Sequence, residues 1–241
     1  MNRREALLSL GTVATAAAIA PVSAKEISGF PHGTAQSADH MPKPIRFGGY
    51  QVLTDDTDRQ TLTAIFDRLI PADDLGPSAS QAGCLEFLDD QLAGDYGAGK
   101  ALYLEQPLHP ENEEALMGSP QFLTTPKERY KSGLNALRAY AKAVEGKPFH
   151  ELSADRIDAL LMAMEAGKLD LGKDVNAQAF FELMLQNARE GYLADPIYGG
   201  NRDMAGWKMI GFPGARYDYR PYIDRRGEEL SFIPVSLIPA D

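Results

Sequence analysis

The stretch VNAQAFFELMLQNAREGY, residues 175–192, is the longest helical pattern in the chain. Large apolar residues recur along it before Gly191: Phe180, Phe181, Leu183, Met184 and Leu185. Apolar residues that recur with a period near 3.6 are typical of a helix that buries one face. The stretch therefore predicts a core helix. The helical patterns that precede it in the sequence are the candidates for the helices that pack against it.

Two further helices are predicted immediately before it. Ser153 caps a pattern that ends at Gly167. Residues 125–128, Thr-Pro-Lys-Glu, supply a cap, a proline at the first helical position and an acid at the third, and this pattern runs to Gly146. The inward residues predicted for these two helices are Tyr130, Leu134, Leu137, Tyr140, Ala141, Val144, Ile157, Leu160, Leu161 and Met164.

Two more helices are predicted nearer the N-terminus. Residues 57–70 begin with Thr57 and Gln60, which form a capping-box signature, and Pro71 stops the run. Residues 80–93 form a second amphipathic pattern. The inward residues predicted here are Leu62, Ile65, Phe66, Leu69, Ile70, Cys84, Phe87, Leu88 and Leu92.

Strand-like alternation is weak throughout. The nearest candidate is LSFIPVSLI, residues 230–238, where Pro234 argues against a strand. The sequence therefore predicts an all-α fold, a single domain of about five helices with long loops and an irregular C-terminal segment. By domain, we expect an export signal at 1–24, an extended leader at 25–53 and the helical domain at 54–241.

The segment DPIYGGNRDMAGWKMIGFPG, residues 195–214, has neither a helical nor a strand period. Loops of this length in compact domains are usually functional or disordered, and its aromatic residues argue against disorder. We expect an ordered contact loop that packs either over its own helices or against a partner. The predicted loop-forming and contact residues are Asp195, Tyr198, Gly199, Gly200, Asn201, Trp207, Gly211, Phe212, Pro213 and Gly214.

No pattern of residues predicts catalysis, a cofactor or a metal in this chain. Its histidines, His32, His40, His109 and His150, stand in no nucleophile or metal-ligand context. Methionines Met162, Met164 and Met184 are predicted to be core residues rather than haem ligands. A net charge of −10 without a basic stripe argues against binding nucleic acid.

The chain has one cysteine, Cys84, and therefore no internal disulfide. Its position in an amphipathic pattern predicts a small buried apolar residue, and an intermolecular disulfide is the alternative.

The N-terminus predicts export. Arg3 and Arg4 form a charged region, residues 6–20 are mostly apolar, and Val-Ser-Ala at 22–24 offers a cleavage site. The apolar run is too short and too rich in Ala and Gly for a membrane anchor, and no later segment is long enough to span a bilayer. Consecutive arginines followed by two leucines indicate the twin-arginine type, with an ordinary secretory signal as the alternative.

Together with this N-terminus, two stretches resemble the small subunit, called gamma chain or subunit 3, of flavin dehydrogenases typified by gluconate 2-dehydrogenase. The first is LIPADDLGPSASQAG, residues 69–83, leading into FLDDQLA. The second is FFELMLQNAREGYLADPIYGGNRDMAGWKMIGFPG, residues 180–214, in which DPIYGGN, GW and IGFPG are the specific elements. The leader has no clear counterpart in that family.

The resemblance implies a complex. In such enzymes a large subunit of the glucose–methanol–choline (GMC) oxidoreductase type holds FAD and oxidises a sugar, sugar acid or polyol, and a multihaem cytochrome c subunit often takes the electrons. The small subunit holds no known cofactor, stabilises the large one and supplies the twin-arginine signal for their joint export. We therefore expect a periplasmic protein that associates with the membrane through a partner.

The alternative is a subunit that contributes to an oxidoreductase active site, or an independent periplasmic enzyme. Asp195, Arg202 and Asp203 would then act at an oxidised hydroxyl group.

Overall fold

The computed structural model describes residues 49–100, 124–216, 218–228, 230 and 232–237. The predicted signal with Arg3 and Arg4, most of the predicted leader, and His32, His40 and His109 lie outside the described residues.

The described part of the chain is helical. Its α-helices are α1 (Asp56–Leu69), α2 (Cys84–Ala93), α3 (Pro126–Tyr140), α4 (Ala154–Glu165), α5 (Ala177–Leu193) and α6 (Ala205–Ile210). A π-helical turn, Ala141–Glu145, extends α3, and short 3-10 turns occur at Phe149–Glu151, Pro196–Tyr198, Arg202–Met204 and Arg220–Tyr222. No strand is present among these residues, where the bridges Asp73–Gly76 and Gly214–Val235 are isolated. The prediction of an all-α fold is confirmed.

Two of the predicted helix starts are confirmed at atomic detail. At α3, the Thr125 side chain accepts the Glu128 amide, and the Glu128 carboxylate accepts the Thr125 amide at 2.8 Å. At α4, the Ser153 side chain accepts the Arg156 amide. Each contact satisfies a backbone donor that has no partner inside the helix.

Two other predicted starts were wrong in detail. The cap of α1 is Asp55, whose carboxylate accepts the Thr57 amide at 2.7 Å, so Thr57 lies inside the helix. Helix α2 begins at Cys84 instead of residue 80 because Gly83 has a φ of 83°, which lies outside the right-handed helical region. In both cases the residue directly before the first helical residue sets the boundary.

Helix α5 is the centre of the core and contacts α1, α2, α3, α4 and α6. The predicted inward residues Phe180, Phe181, Leu183 and Met184 are all buried. The Phe180 ring meets Tyr130 of α3 edge to face, with the ring centroids 5.7 Å apart. The tight packing requires a glycine at position 133 of α3, because a Cβ there would overlap the Phe180 ring.

Two predicted inward residues are exposed instead. Val144 lies in the π-helical turn, which changes the angular position of the residues that follow α3. Met162 is 67% exposed. It stands two positions from both Leu160 and Met164, and two positions correspond to about 200° around a helix. Met162 is therefore neither a core residue nor part of the buried face of α4.

The chain enters the domain beside α2. Asp89 is buried, and its carboxylate accepts the backbone amides of Gln51, Val52 and Leu53 at 2.6, 2.9 and 2.7 Å. A buried charge needs such partners. The last residues of the predicted leader are thereby attached to the helical domain next to residue 199.

Candidate partner-contact site

Asn201 organises the turn that follows α5. The residue is 0% exposed and has a φ of 46°, a left-handed conformation that asparagine tolerates. Its side-chain NH2 donates to the Ala194 carbonyl, and its side-chain oxygen accepts the Gly206 amide, both at 2.8 Å. Its own amide donates to the Gly191 carbonyl at 2.8 Å. One side chain therefore joins the end of α5 to the start of α6.

The turn lies directly on the backbone of α5. A Cβ at Gly200 would overlap the Gly191 carbonyl, and a Cβ at Gly206 would overlap the Tyr192 carbonyl. Only glycine permits such an approach of two backbones. Of the other predicted glycines, Gly199 and Gly211 both have positive φ and end the turn at 196–198 and helix α6, respectively.

The predicted irregular loop contains a short helix, α6, which the sequence analysis did not anticipate. Trp207 on α6 is 4% exposed and donates its indole N–H to the Leu193 carbonyl at 2.7 Å. Its ring meets Phe212 edge to face at 5.2 Å between centroids. Trp207 is thus a loop-forming residue packed inside its own domain, whereas Phe212 is 44% exposed and Tyr198 is 56% exposed.

Asp195 starts a turn by accepting the amide two residues on, and it also binds residues 236 and 237, which the sequence did not predict. One carboxylate oxygen accepts the Ile197 amide at 3.0 Å and the Ser236 hydroxyl at 2.9 Å. The other accepts the Leu237 amide at 3.0 Å. These partners place the tail segment, which we define as residues 232–237, against the contact loop, residues 195–214.

A second connection joins the same two segments. Ala215 donates its amide to the Val235 carbonyl at 2.6 Å, and Val235 donates to the Pro213 carbonyl at 3.3 Å. Gly214 between them has a φ of 75°, and a Cβ there would overlap Val235. The predicted turn at Pro213 and Gly214 therefore holds the tail segment as well as reversing the chain.

The three residues of the catalytic alternative have different surroundings. Asp195 contacts the tail segment. Arg202 faces the start of α2, where its amide donates to Ala82 at 3.0 Å and its guanidinium lies 3.5 Å from the Glu86 carboxylate. Asp203 is exposed, with a φ of 57°. No contact in the described structure joins these three side chains.

Exposed apolar side chains are concentrated around the loop and the tail segment. Among the described residues from 193 to 237, the exposed large apolar residues are Leu193, Tyr198, Met209, Ile210, Phe212, Tyr219, Ile223, Ile233, Val235 and Leu237. Among the described residues from 49 to 192 they are only Leu75, Val144 and Met162. Large contiguous apolar patches on a protein surface usually mark sites of interaction.

A cavity of about 260 Å³ lies beside the loop. Its lining residues are Gly49, Tyr50, Glu86, Asp89, Asp90, Gly199 and Arg202. Burial, together with the nearby Glu86 carboxylate, raises the pKa of the Tyr50 hydroxyl. Within the part of the chain that the structure describes, no three His, Cys, Asp or Glu residues are grouped in a way that could hold a metal ion.

Cys84 lies in the core at the start of α2 and is fully buried. Its thiol points at the Ala188 carbonyl at 3.7 Å, and burial raises the pKa of the thiol to about 12. The structure therefore favours the small buried apolar residue over the intermolecular disulfide, because a partner thiol has no access to the sulfur.

None of the described helices has the length and apolar composition required to cross a bilayer. Searches of curated proteins and of solved structures each found no significant match. A family model for gluconate 2-dehydrogenase subunit 3 matches residues 56–214, which is more than half of the chain and includes α1 to α6. The chain therefore belongs to the gluconate 2-dehydrogenase subunit 3 family, a family of accessory subunits of a multi-subunit gluconate dehydrogenase.

Proposed function

We propose that the chain is the non-catalytic small subunit of an FAD-dependent dehydrogenase that oxidises a sugar, a sugar acid or a polyol. Its partner is a flavoprotein of the GMC type, which holds the FAD, and in some complexes a multihaem cytochrome c accepts the electrons. The small subunit stabilises the flavoprotein and carries the signal for its export to the periplasm, where the complex associates with the membrane through a partner subunit.

The observation that supports this proposal most strongly is the concentration of exposed apolar side chains between residues 193 and 237. Leaving large apolar surfaces in water costs free energy, which docking of a partner recovers. An accessory subunit whose function is contact accounts for this surface. Family membership independently supports a place in a multi-subunit dehydrogenase.

The polar side chains of the loop support the same proposal. Asp195 and Asn201 use their side-chain oxygens on the chain's own groups, namely the amides of Ile197, Leu237 and Gly206 and the hydroxyl of Ser236. A general acid or base must reach a substrate proton within hydrogen-bond distance. In this loop, the contacts of Asp195 and Asn201 instead build the scaffold for the apolar residues.

The direct test is to purify the mature chain alone and together with a GMC-type flavoprotein from the same organism. The proposal expects a stable complex, a longer half-life of the flavoprotein when the small subunit is present, and neither bound flavin nor dye reduction by the lone chain. Flavin absorbance in the lone chain, dye reduction by it with gluconate, glucose or sorbitol, or the lack of any complex would contradict the proposal.

Asp203→Asn separates the accessory role from the catalytic alternative. Asp203 is exposed, and asparagine tolerates its left-handed backbone, so the substitution should leave the fold intact. The accessory role predicts that kcat and KM of the assembled complex stay unchanged. A large fall in kcat in a complex that still assembles would favour direct participation in the active site.

Export is tested by replacing both arginines of the signal, Arg3→Lys and Arg4→Lys. We expect the flavoprotein and its activity to stay in the cytoplasm, because the twin-arginine route carries folded proteins and their bound partners. Arg46→Lys, in the predicted leader, serves as the matched control. Periplasmic activity that is unchanged in the double variant would count against the export role.

A further inference from the structure

Exposed apolar residues at the end of α5, in the contact loop and in the tail segment together make up what we call the docking face. Its loop side comprises Leu193, Ile210 and Phe212, and its tail side comprises Ile233, Val235 and Leu237, all of them exposed. On the loop side, Trp207 joins Leu193 to Phe212 through its indole hydrogen bond and its ring contact. Trp207 is therefore a buried support that Leu193 and Phe212 share.

The two sides are held together by backbone contacts. Val235 exchanges hydrogen bonds with Pro213 and Ala215, and the amide of Leu237 donates to Asp195 at 3.0 Å. The tail segment lies beyond residue 214, where the family match ends. The docking face is thus half inside and half outside the region that the family model describes.

The charge around the docking face differs from that of the rest of the chain. Residues 193–237 contain six Lys and Arg and six Asp and Glu, so they carry no net charge, whereas the whole chain carries −10. Several of these charges are already paired within the chain, as in Arg220 with Asp218 and Arg225 with Glu228, both at 2.7–2.8 Å. The face therefore presents apolar side chains in electrically neutral surroundings.

Resting on the proposed function, we propose that the flavoprotein subunit binds across both sides of the docking face through a neutral, mainly apolar surface, and that the tail segment supplies half of the contact. Interface cores are enriched in large apolar residues, and the six side chains of this face are apolar and uncharged. A stable interface needs roughly 20–30 residues on each side, and residues 193–237 are numerous enough to supply them.

The neutral surroundings favour a protein over a membrane as the occupant. Segments that bind anionic lipid carry a clear excess of lysine and arginine beside their apolar face. Here the basic and acidic residues are equal in number, and α6 is only six residues long. An acidic chain with such a face gains little from an anionic membrane surface.

The test measures the affinity of the mature full chain for the purified GMC-type flavoprotein used to test the proposed function. Phe212→Glu changes the loop side and Val235→Glu changes the tail side. Each should weaken binding roughly tenfold or more, because an interface core that must bury a carboxylate loses much of its binding energy. Circular dichroism and thermal melting establish that each variant is folded.

Ile210→Glu and Ile233→Glu provide a second pair that is safer for folding. Ile233 is 79% exposed, so its side chain contributes little to the fold before binding. Met162→Glu is the matched control, since Met162 is also an exposed apolar residue and lies on α4, outside the segments that make up the docking face. The control should bind within about twofold of the unchanged chain.

The possible results separate this inference from the proposed function. No binding by the unchanged chain contradicts the proposed function itself. Full binding by all the loop-side and tail-side variants overturns the docking face but leaves the accessory role in place. Weaker binding by the loop variants alone, with both tail variants unaffected, shows that the tail segment is not part of the contact.

A membrane is tested as the other occupant. Vesicles of phosphatidylglycerol and phosphatidylethanolamine should not retain the chain at physiological salt. Retention that Phe212→Glu and Val235→Glu abolish, while both variants still bind the flavoprotein, would overturn the inference and assign the face to lipid.

Discussion

At the scale of single residues, Asn201 holds the contact loop in place through hydrogen bonds of its buried side chain. Its buried amide holds the Ala194 carbonyl and the Gly206 amide. Asn201→Ala removes both hydrogen bonds. It also leaves alanine in the left-handed conformation, where it has no polar side chain to offset the steric cost. We expect a loss of about 2–4 kcal/mol in the free energy of unfolding, measured with urea.

Asp203→Asn is the control for this substitution. Asp203 is also left-handed, but it is exposed, and asparagine tolerates that conformation, so the change should stay within about 0.5 kcal/mol. If Asn201→Ala proved as stable as Asp203→Asn, the proposed role of the buried amide would be wrong.

The buried thiol of Cys84 predicts how the stability of the fold changes at alkaline pH. Burial raises the pKa of its thiol from the ordinary 9.0 to about 12, so the folded protein retains a proton that the unfolded chain loses. The stability that this group contributes is therefore complete below pH 9 and is lost as the pH rises from about 9 towards 12. The slope for one such proton is about 1.4 kcal/mol per pH unit.

Cys84→Ala isolates this contribution. Burial also raises the pKa values of Tyr50, Tyr96, Tyr130 and Tyr192, so the variant should still lose stability above pH 10, but along a shallower slope. The measurement is the free energy of unfolding between pH 8.5 and 10.5. A variant whose slope equals that of the unchanged chain would contradict the assignment to Cys84.

At the scale of secondary-structure elements, α6 depends on close contact with α5. Replacing a glycine inside a helix by alanine usually stabilises it by roughly 0.5–1 kcal/mol. At Gly206 we expect the opposite, a destabilisation of about 2 kcal/mol or more, because the new Cβ would overlap the Tyr192 carbonyl and push α6 off α5. Chemical denaturation measures the change.

Gly94→Ala is the comparison for this element. Gly94 follows α2 with a φ of −92°, and a Cβ there would make only ordinary contact, at 3.5 Å from the Asp90 carbonyl. The variant should remain within about 0.5 kcal/mol of the unchanged chain. Equal losses of stability at Gly206 and Gly94 would contradict the claim that the close approach of α6 to α5 requires glycine at position 206.

The helices that the sequence predicted and the one that it missed differ in length. Helices α1 to α5 each run through 10 or more residues, so their apolar positions repeat over several turns. Helix α6 has six residues, AGWKMI, which are too few to show a period, and its second residue is glycine. Helix α6 is stabilised by packing on α5. The pattern of apolar residues within α6 itself gives no sign of that packing.

At the scale of the whole molecule, Asp195 ties the C-terminal tail segment to the loop. Asp195→Ala removes the partners of Ser236 and Leu237, which lie 41 and 42 residues away in sequence. We expect amide hydrogen exchange of peptides covering residues 232–237 to become roughly tenfold faster or more, while peptides from α3 and α4 stay unchanged.

Asp224→Ala is the matched control for the tail. Asp224 is an exposed acid in the same C-terminal region, and its removal should leave exchange at 232–237 unaltered. The role of Asp195 would be contradicted if its variant kept the protection of the tail, or if both variants lost it equally.

The candidate site could be predicted from the sequence only in part. The sequence located the contact loop, because its glycines, prolines and aromatic residues stand out between helical patterns. It could not separate Trp207, which is buried, from Phe212 and Tyr198, which are exposed, since all three are large aromatic residues in one loop. Exposure depends on what lies opposite a side chain, and for Trp207 that is the end of α5.

The sequence by itself determined the helical class and the position of the long helices, because capping residues and the 3.6-residue period act over neighbouring positions. The tertiary structure alone decided that the tail segment joins the loop at Asp195 and Val235, and that exposed apolar residues gather there. Those contacts join residues 20 or more positions apart, and only the packed helices bring such residues together.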